Sequence, residues 1–163
     1  MEYANQVGGP YIRRHINSIE NVKKRLTRVI PGLKDKTYPE RVKELDLMTL
    51  AFRRIRGDII ELFKIIKNIG YDKSVTEFKS LVLNTDNRTR GHSLKLVKIR
   101  PRLDIRKYRF TFRTVDIWNS LPQKIIDCKT ITSFKIQIDK LWQNQEIKWV
   151  HSASFDISVY IAE

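Results

Sequence analysis

Apolar residues return at helical spacing in several stretches of this chain. Over 16–30, Ile16, Ile19, Val22, Leu26 and Val29 recur at three- and four-residue steps. They predict an amphipathic helix with that stripe turned to a core, closed by Pro31-Gly32. Over 50–69, Phe52, Ile55, Ile59, Leu62, Phe63, Ile66 and Ile69 form a broader stripe, with Thr49 as cap and Gly70 as stop. Gly57 inside that helix costs up to about 1 kcal/mol against alanine and suggests a close crossing. Arg54 and Asp58, one turn apart, can pair. Between these helices, Thr37-Tyr-Pro-Glu40 has the form of a capping box and predicts a short helix through Leu45, with Val42 and Leu45 inward. A last helix is lined by Phe134, Ile138, Leu141 and Trp142, with Ile131, Thr132 and Ser133 as staple and cap.

The middle of the chain is less periodic. Val75, Phe78, Leu81 and Val82 fit a short helix or an ordered loop, and 84–91 is turn-rich, which places a boundary there. Leu94 and Leu96 alternate with Lys95 before Pro101, predicting a strand over 94–99, with a second over 104–106. Tyr108, Phe112, Val115 and Trp118 predict a helix over 109–119, ended by Leu121-Pro122. After Gln145 the aromatics Trp149, Phe155 and Tyr160 come at irregular intervals. The expected fold is therefore mainly α, a helical bundle with a small β element near residues 94–106. It divides into an N-terminal helical lobe (1–85), a basic C-terminal lobe (86–145) and a loosely ordered tail (146–163).

Charge changes the picture most in the middle. The chain carries 32 Lys and Arg against 18 Asp and Glu, a net +14. Residues 86–114 hold ten of the cations (Arg88, Arg90, Lys95, Lys98, Arg100, Arg102, Arg106, Lys107, Arg109 and Arg113) against Asp86 and Asp104 alone, a net +8. Such density costs self-repulsion unless an anionic partner offsets it. The cations alternate with apolar residues, so one side can anchor to a core while the other meets phosphates. A solvated face is the bland alternative. Tyr108 and Phe110 are the better candidates for base stacking among the arginines, while Phe112 and Trp118 suit core packing. His92, in Arg90-Gly-His-Ser, suits a phosphate contact or a turn cap equally.

Catalytic chemistry is sparse. No two Asp residues are adjacent, as a two-metal centre would favour, and no Walker-type glycine loop is present. His15, His92 and His151 are scattered, and one cysteine, Cys128, gives no zinc set. The expectation is no catalytic residue, no metal and no cofactor. A lone thiol fits a reducing compartment, hence an intracellular protein, nuclear or cytoplasmic. No apolar run approaches the roughly 20 residues that span a bilayer, so no membrane partner is expected.

Several motifs occur in order: Glu2-Tyr-Ala-Asn-Gln-Val7, Ile30-Pro-Gly-Leu33, Arg54-Ile-Arg-Gly-Asp58, Thr89-Arg-Gly-His-Ser-Leu-Lys-Leu96 and Val115-Asp-Ile-Trp-Asn-Ser-Leu-Pro122. Together they make the chain, over about Met1 to Gln143, resemble the C-terminal region of reverse transcriptases of non-LTR (LINE-type) retrotransposons. The resemblance implies a position after the polymerase palm, in the thumb and the helical region beyond, where template and primer are held. The catalytic Tyr-x-Asp-Asp and the endonuclease of such enzymes are not in this sequence. The expected function is noncatalytic binding of RNA or DNA backbone, with other parts of a reverse transcriptase as further partners. A degraded retrotransposon product without selected activity, and a basic module for acidic protein partners, remain as alternatives.

Overall fold

A computed structural model of the chain describes residues 9–70, 81–84, 91–150 and 152–156. The protein is mainly α, as the periodicity predicts. Among the described residues its helices are α1 (Arg13–Val29), α2 (Tyr38–Glu44), α3 (Leu50–Ile66), α4 (Asp104–Lys107), α5 (Phe110–Arg113), α6 (Val115–Asn119), α7 (Gln123–Ile126) and α8 (Ile131–Leu141). A 3₁₀ turn, Glu146–Lys148, follows.

The chain divides into two compact units, Met1–Ile55 with Gln143–Phe155, and Arg56–Trp142 with Asp156–Glu163. The division falls within α3. Part of the expected loose tail belongs to the first unit. There Thr49 holds it: the Thr49 amide donates to the Lys148 carbonyl (3.0 Å) and its hydroxyl to the Ile147 carbonyl (2.5 Å). Ile147 and Gln145 are buried as a result. The same Thr49 hydroxyl accepts from the Phe52 amide at 3.2 Å, the expected cap of α3.

In the first unit α1 departs from its hydrophobic pattern. Its buried residues are Glu20 and Thr27. Glu20 accepts from the Tyr38 hydroxyl and, at 3.2 Å, from the Leu50 amide, one of the orphan donors at the start of α3. Lys23 donates to the Met48 carbonyl. At about 100° per residue, positions 20, 23 and 27 share one side, and Val22, Leu26 and Val29 fall on the other. That apolar stripe is therefore exposed, Val29 to 81%, contrary to the expectation. The capping box of α2 forms as predicted, with the Thr37 amide donating to Glu40 at 2.7 Å. Val42 is fully buried behind it.

In the second unit the core is aromatic. Phe63 of α3 stacks on Phe134 of α8, ring centres 4.0 Å apart, and Trp118 of α6 lies against Phe134 at 6.4 Å. Ile59, Leu62, Ile126, Ile138 and Trp142 are buried with them. Thr130, one residue before the predicted staple, caps α8 by accepting from the Ser133 amide (3.1 Å). Arg56 holds Asp139 with two bonds, 2.6 and 2.8 Å. Asp58 is gripped by Arg113 (2.8 and 3.0 Å). A Cβ added at Gly57 would meet nothing within 4 Å, so no close crossing explains that glycine.

The β element shrinks to one antiparallel bridge, Leu83 with Leu96, among the described residues. The opposite edge of Leu96 is taken by a side chain. Asn119 accepts from the Leu96 amide and donates to its carbonyl, both at 2.8 Å. The expected second strand, 104–106, is instead the short helix α4. The helix predicted over 109–119 is jointed at Thr114, whose buried hydroxyl donates back to the Phe110 carbonyl (2.7 Å), a bond that bends helices. The helix or loop expected over 71–85 falls largely outside the described residues.

Candidate nucleic-acid interface

The second unit assembles the basic window around a joint of two motifs. Gly91 has φ +110°, a backbone conformation that residues with side chains rarely adopt, so the position favours glycine; a Cβ there would also displace the flexible end of Lys95. The turn carries His92 inward. His92 is buried, with Nε2 2.9 Å from the Trp118 carbonyl and its ring edge-on to the Trp118 ring at 5.8 Å. The Trp118 indole in turn donates to the Leu94 carbonyl (2.7 Å), and the Ser93 amide donates to the Gln123 side chain (2.8 Å). Burial pushes the His92 pKa down, only partly offset by its bond to Trp118, with Lys95 also lowering it. A neutral ring that donates from Nε2 to a carbonyl is the state this favours. His92 thus braces the fold and does not face a phosphate.

The other predicted site residues separate into two groups. Arg88 and Arg90 lie outside the described residues. Lys95 is half-buried across Gly91. Lys98 pairs with Asp116 at 2.7 Å on an exposed surface. Arg113 is occupied by Asp58 and by the Tyr108 carbonyl (2.9 Å), so it too works inside the fold. That leaves Arg100, Arg102, Arg106, Lys107 and Arg109, all exposed. None has an ion pair with a carboxylate among the described residues. Short elements place them. Arg100 and Arg102 flank Pro101, α4 carries Arg106 and Lys107, and Arg109 is the extended residue that opens α5.

Beside these cations lies a hollow of about 410 Å³, lined by Ile99, Arg100, Pro101, Lys107, Phe112 and Val115 among others. The aromatic assignments change here. Phe110 is buried, while Phe112 is partly exposed and lines the hollow; Tyr108 stays exposed at 41%. Helical geometry explains the exchange. Positions 110, 114, 115 and 118 fall on one inward face, and 112 sits about 200° away from 110. The signal was present in that spacing, but the jointed helix had to be placed before it could be read. Cations beside an apolar hollow with an aromatic side chain can hold a phosphate chain and receive a base at once.

Among the described residues no group of three or more His, Cys, Asp or Glu side chains converges in a way that could hold a metal ion. No helix among them is long and apolar enough to cross a membrane. Cys128 is buried, within 3.5 Å of the Ser133 hydroxyl. Comparison with protein-family models, with curated proteins and with solved structures finds no match to the chain.

Proposed function

We propose that the chain binds single-stranded RNA or DNA without catalysis, holding the backbone through Arg100, Arg102, Arg106, Lys107 and Arg109. On the resemblance above, it would do so as the C-terminal part of a retrotransposon reverse transcriptase, with template or primer as its ligand. One observation carries this reading. Five exposed cations lie in ten residues, without an ion pair to a carboxylate among the described residues, beside a hollow that holds Phe112. The test is a titration of a labelled oligonucleotide at several salt concentrations. Neutralising five phosphates gives a slope of log affinity on log salt of about −4. Replacing Arg100, Arg102, Arg106 and Arg109 with alanine should flatten it to about −1. A slope unaffected by those changes refutes the assignment.

A second reading is favoured by the joint of His92, Trp118 and Asn119. The motifs that carry the resemblance bind each other, so they suit a degraded product in which folding determinants outlast function. A cooperative melt without any oligonucleotide binding would support it.

A further inference from the structure

A separate concentration of charge lies in the first unit, outside the window that the sequence singles out. A hollow of about 750 Å³ is lined by Lys24, Arg25 and Arg28 of α1, by Lys34 and Lys36 of the following loop, and by Arg41 of α2. No carboxylate is among the described residues that line it. Asn21, Lys24, Arg25 and Arg28 share one side of α1, next to the inward Glu20 and Thr27 side, which brings the cations over α2.

Arg41 is the informative member. It is 4% exposed. Its Nε donates to the Thr27 hydroxyl (3.3 Å), its two terminal nitrogens reach the Lys36 and Lys24 carbonyls, and its guanidinium lies 5.9 Å from the Tyr38 ring centre. All these partners are neutral. The buried carboxylate of the unit, Glu20, is turned instead to the Tyr38 hydroxyl and the Leu50 amide. Among the other cations, Lys36 pairs with Glu44; Lys24, Arg25, Arg28 and Lys34 have no ion pair among the described residues. A buried charge without a counter-charge is costly, and like charges around one hollow repel. Both costs fall when a compact anion enters.

We propose that this hollow is a binding site for a small polyphosphate, an anion carrying several phosphate groups close together, with Arg41 at its base and Lys24, Arg25, Arg28 and Lys34 at its rim. Cations from three chain segments converge on a concavity of small-molecule size. The exposed guanidiniums of Arg25 and Arg28 suit phosphate oxygens by their paired donors, and Arg41, held by its own three bonds, adds a fixed charge beneath them. The site is independent of the nucleic-acid reading of the second unit, and each can fail alone.

The test is calorimetric titration of the full chain with sodium tripolyphosphate, with orthophosphate and a single-stranded oligonucleotide in parallel. Saturable binding of one tripolyphosphate per chain is expected, about tenfold or more tighter than orthophosphate. Removing a buried guanidinium can unfold the unit, so the exposed pair carries the test. Lys24→Ala with Arg28→Ala should weaken tripolyphosphate about tenfold, while the four-arginine variant of the second unit should leave it unchanged. Absence of saturable binding, equal affinity for orthophosphate, indifference to the rim variant, or equal loss in the four-arginine variant each overturns the proposal. Oligonucleotide binding that the rim variant weakens, without tripolyphosphate binding, also overturns it, and makes the hollow a strand contact.

Discussion

Two neighbouring stretches of the second unit carry opposite kinds of signal. The first, Gly91 to Leu96 with Val115 to Gln123, has sharp motifs, and its key polar residues are spent inside them: His92 on Trp118, Trp118 on Leu94, Asn119 on Leu96. The second, between Ile99 and Arg109, has no sharp motif, only repeated arginines, and those arginines are exposed, without an ion pair among the described residues. A strict residue pattern here reports internal geometry, and a loose excess of charge reports the outer surface. The stretch most easily recognised is therefore not the one expected to touch a ligand.

That contrast makes graded predictions. Trp118→Ala should be the most damaging, about 3–5 kcal/mol by denaturant melts, because it empties a fully buried indole site. Asn119→Ala should cost about 1–3 kcal/mol in the same assay, since the Leu96 amide and carbonyl lose their shared partner. His92 should make stability depend on pH. Its folded pKa is lowered, so below the ordinary value near 6.5 the unfolded chain takes up a proton that the folded chain refuses. The melting temperature should fall as pH drops from 7 towards 5, and fall less in His92→Gln. Gly57→Ala, with open space around the new methyl, should raise stability by up to about 1 kcal/mol. Smallest of all, alanine at Arg100, Arg102, Arg106 or Arg109 should leave stability within about 0.5 kcal/mol each. A large stability loss there would erase the distinction between the two stretches.

How far the fold was legible follows from what each helix packs against. α3 could be read directly, because apolar residues fill its buried face: Phe52, Ile59, Leu62 and Phe63 are all inward. α1 has an equally regular stripe and was read with the wrong side in. Its contacts are polar bonds from Glu20, Lys23 and Thr27, whose partners lie 14 to 30 residues away and leave no periodic trace. The strand at 94–99 was misjudged for a similar reason. Alternation marks a pleated edge but cannot say that an asparagine 23 residues on will occupy it. Of the candidate site, the exposed arginines were legible as charge. The inward turn of His92, the seizure of Arg113 by Asp58, and the exchange of Phe110 for Phe112 depended on distant partners and on the joint at Thr114.

The clasp at Leu96 has a consequence for how the protein behaves in a crowd. Residues 95–97 hold an extended backbone with both sides already spoken for: Lys95 and Val97 bond to Asn84 and Val82 at 2.7 and 2.8 Å, and Leu96 bonds to Asn119. An unsatisfied strand margin invites another chain to add itself, the first step of ordered aggregation. Here a lone carboxamide serves as a stopper, so a short apolar run within a sticky, arginine-rich neighbourhood is denied the chance to recruit copies of itself.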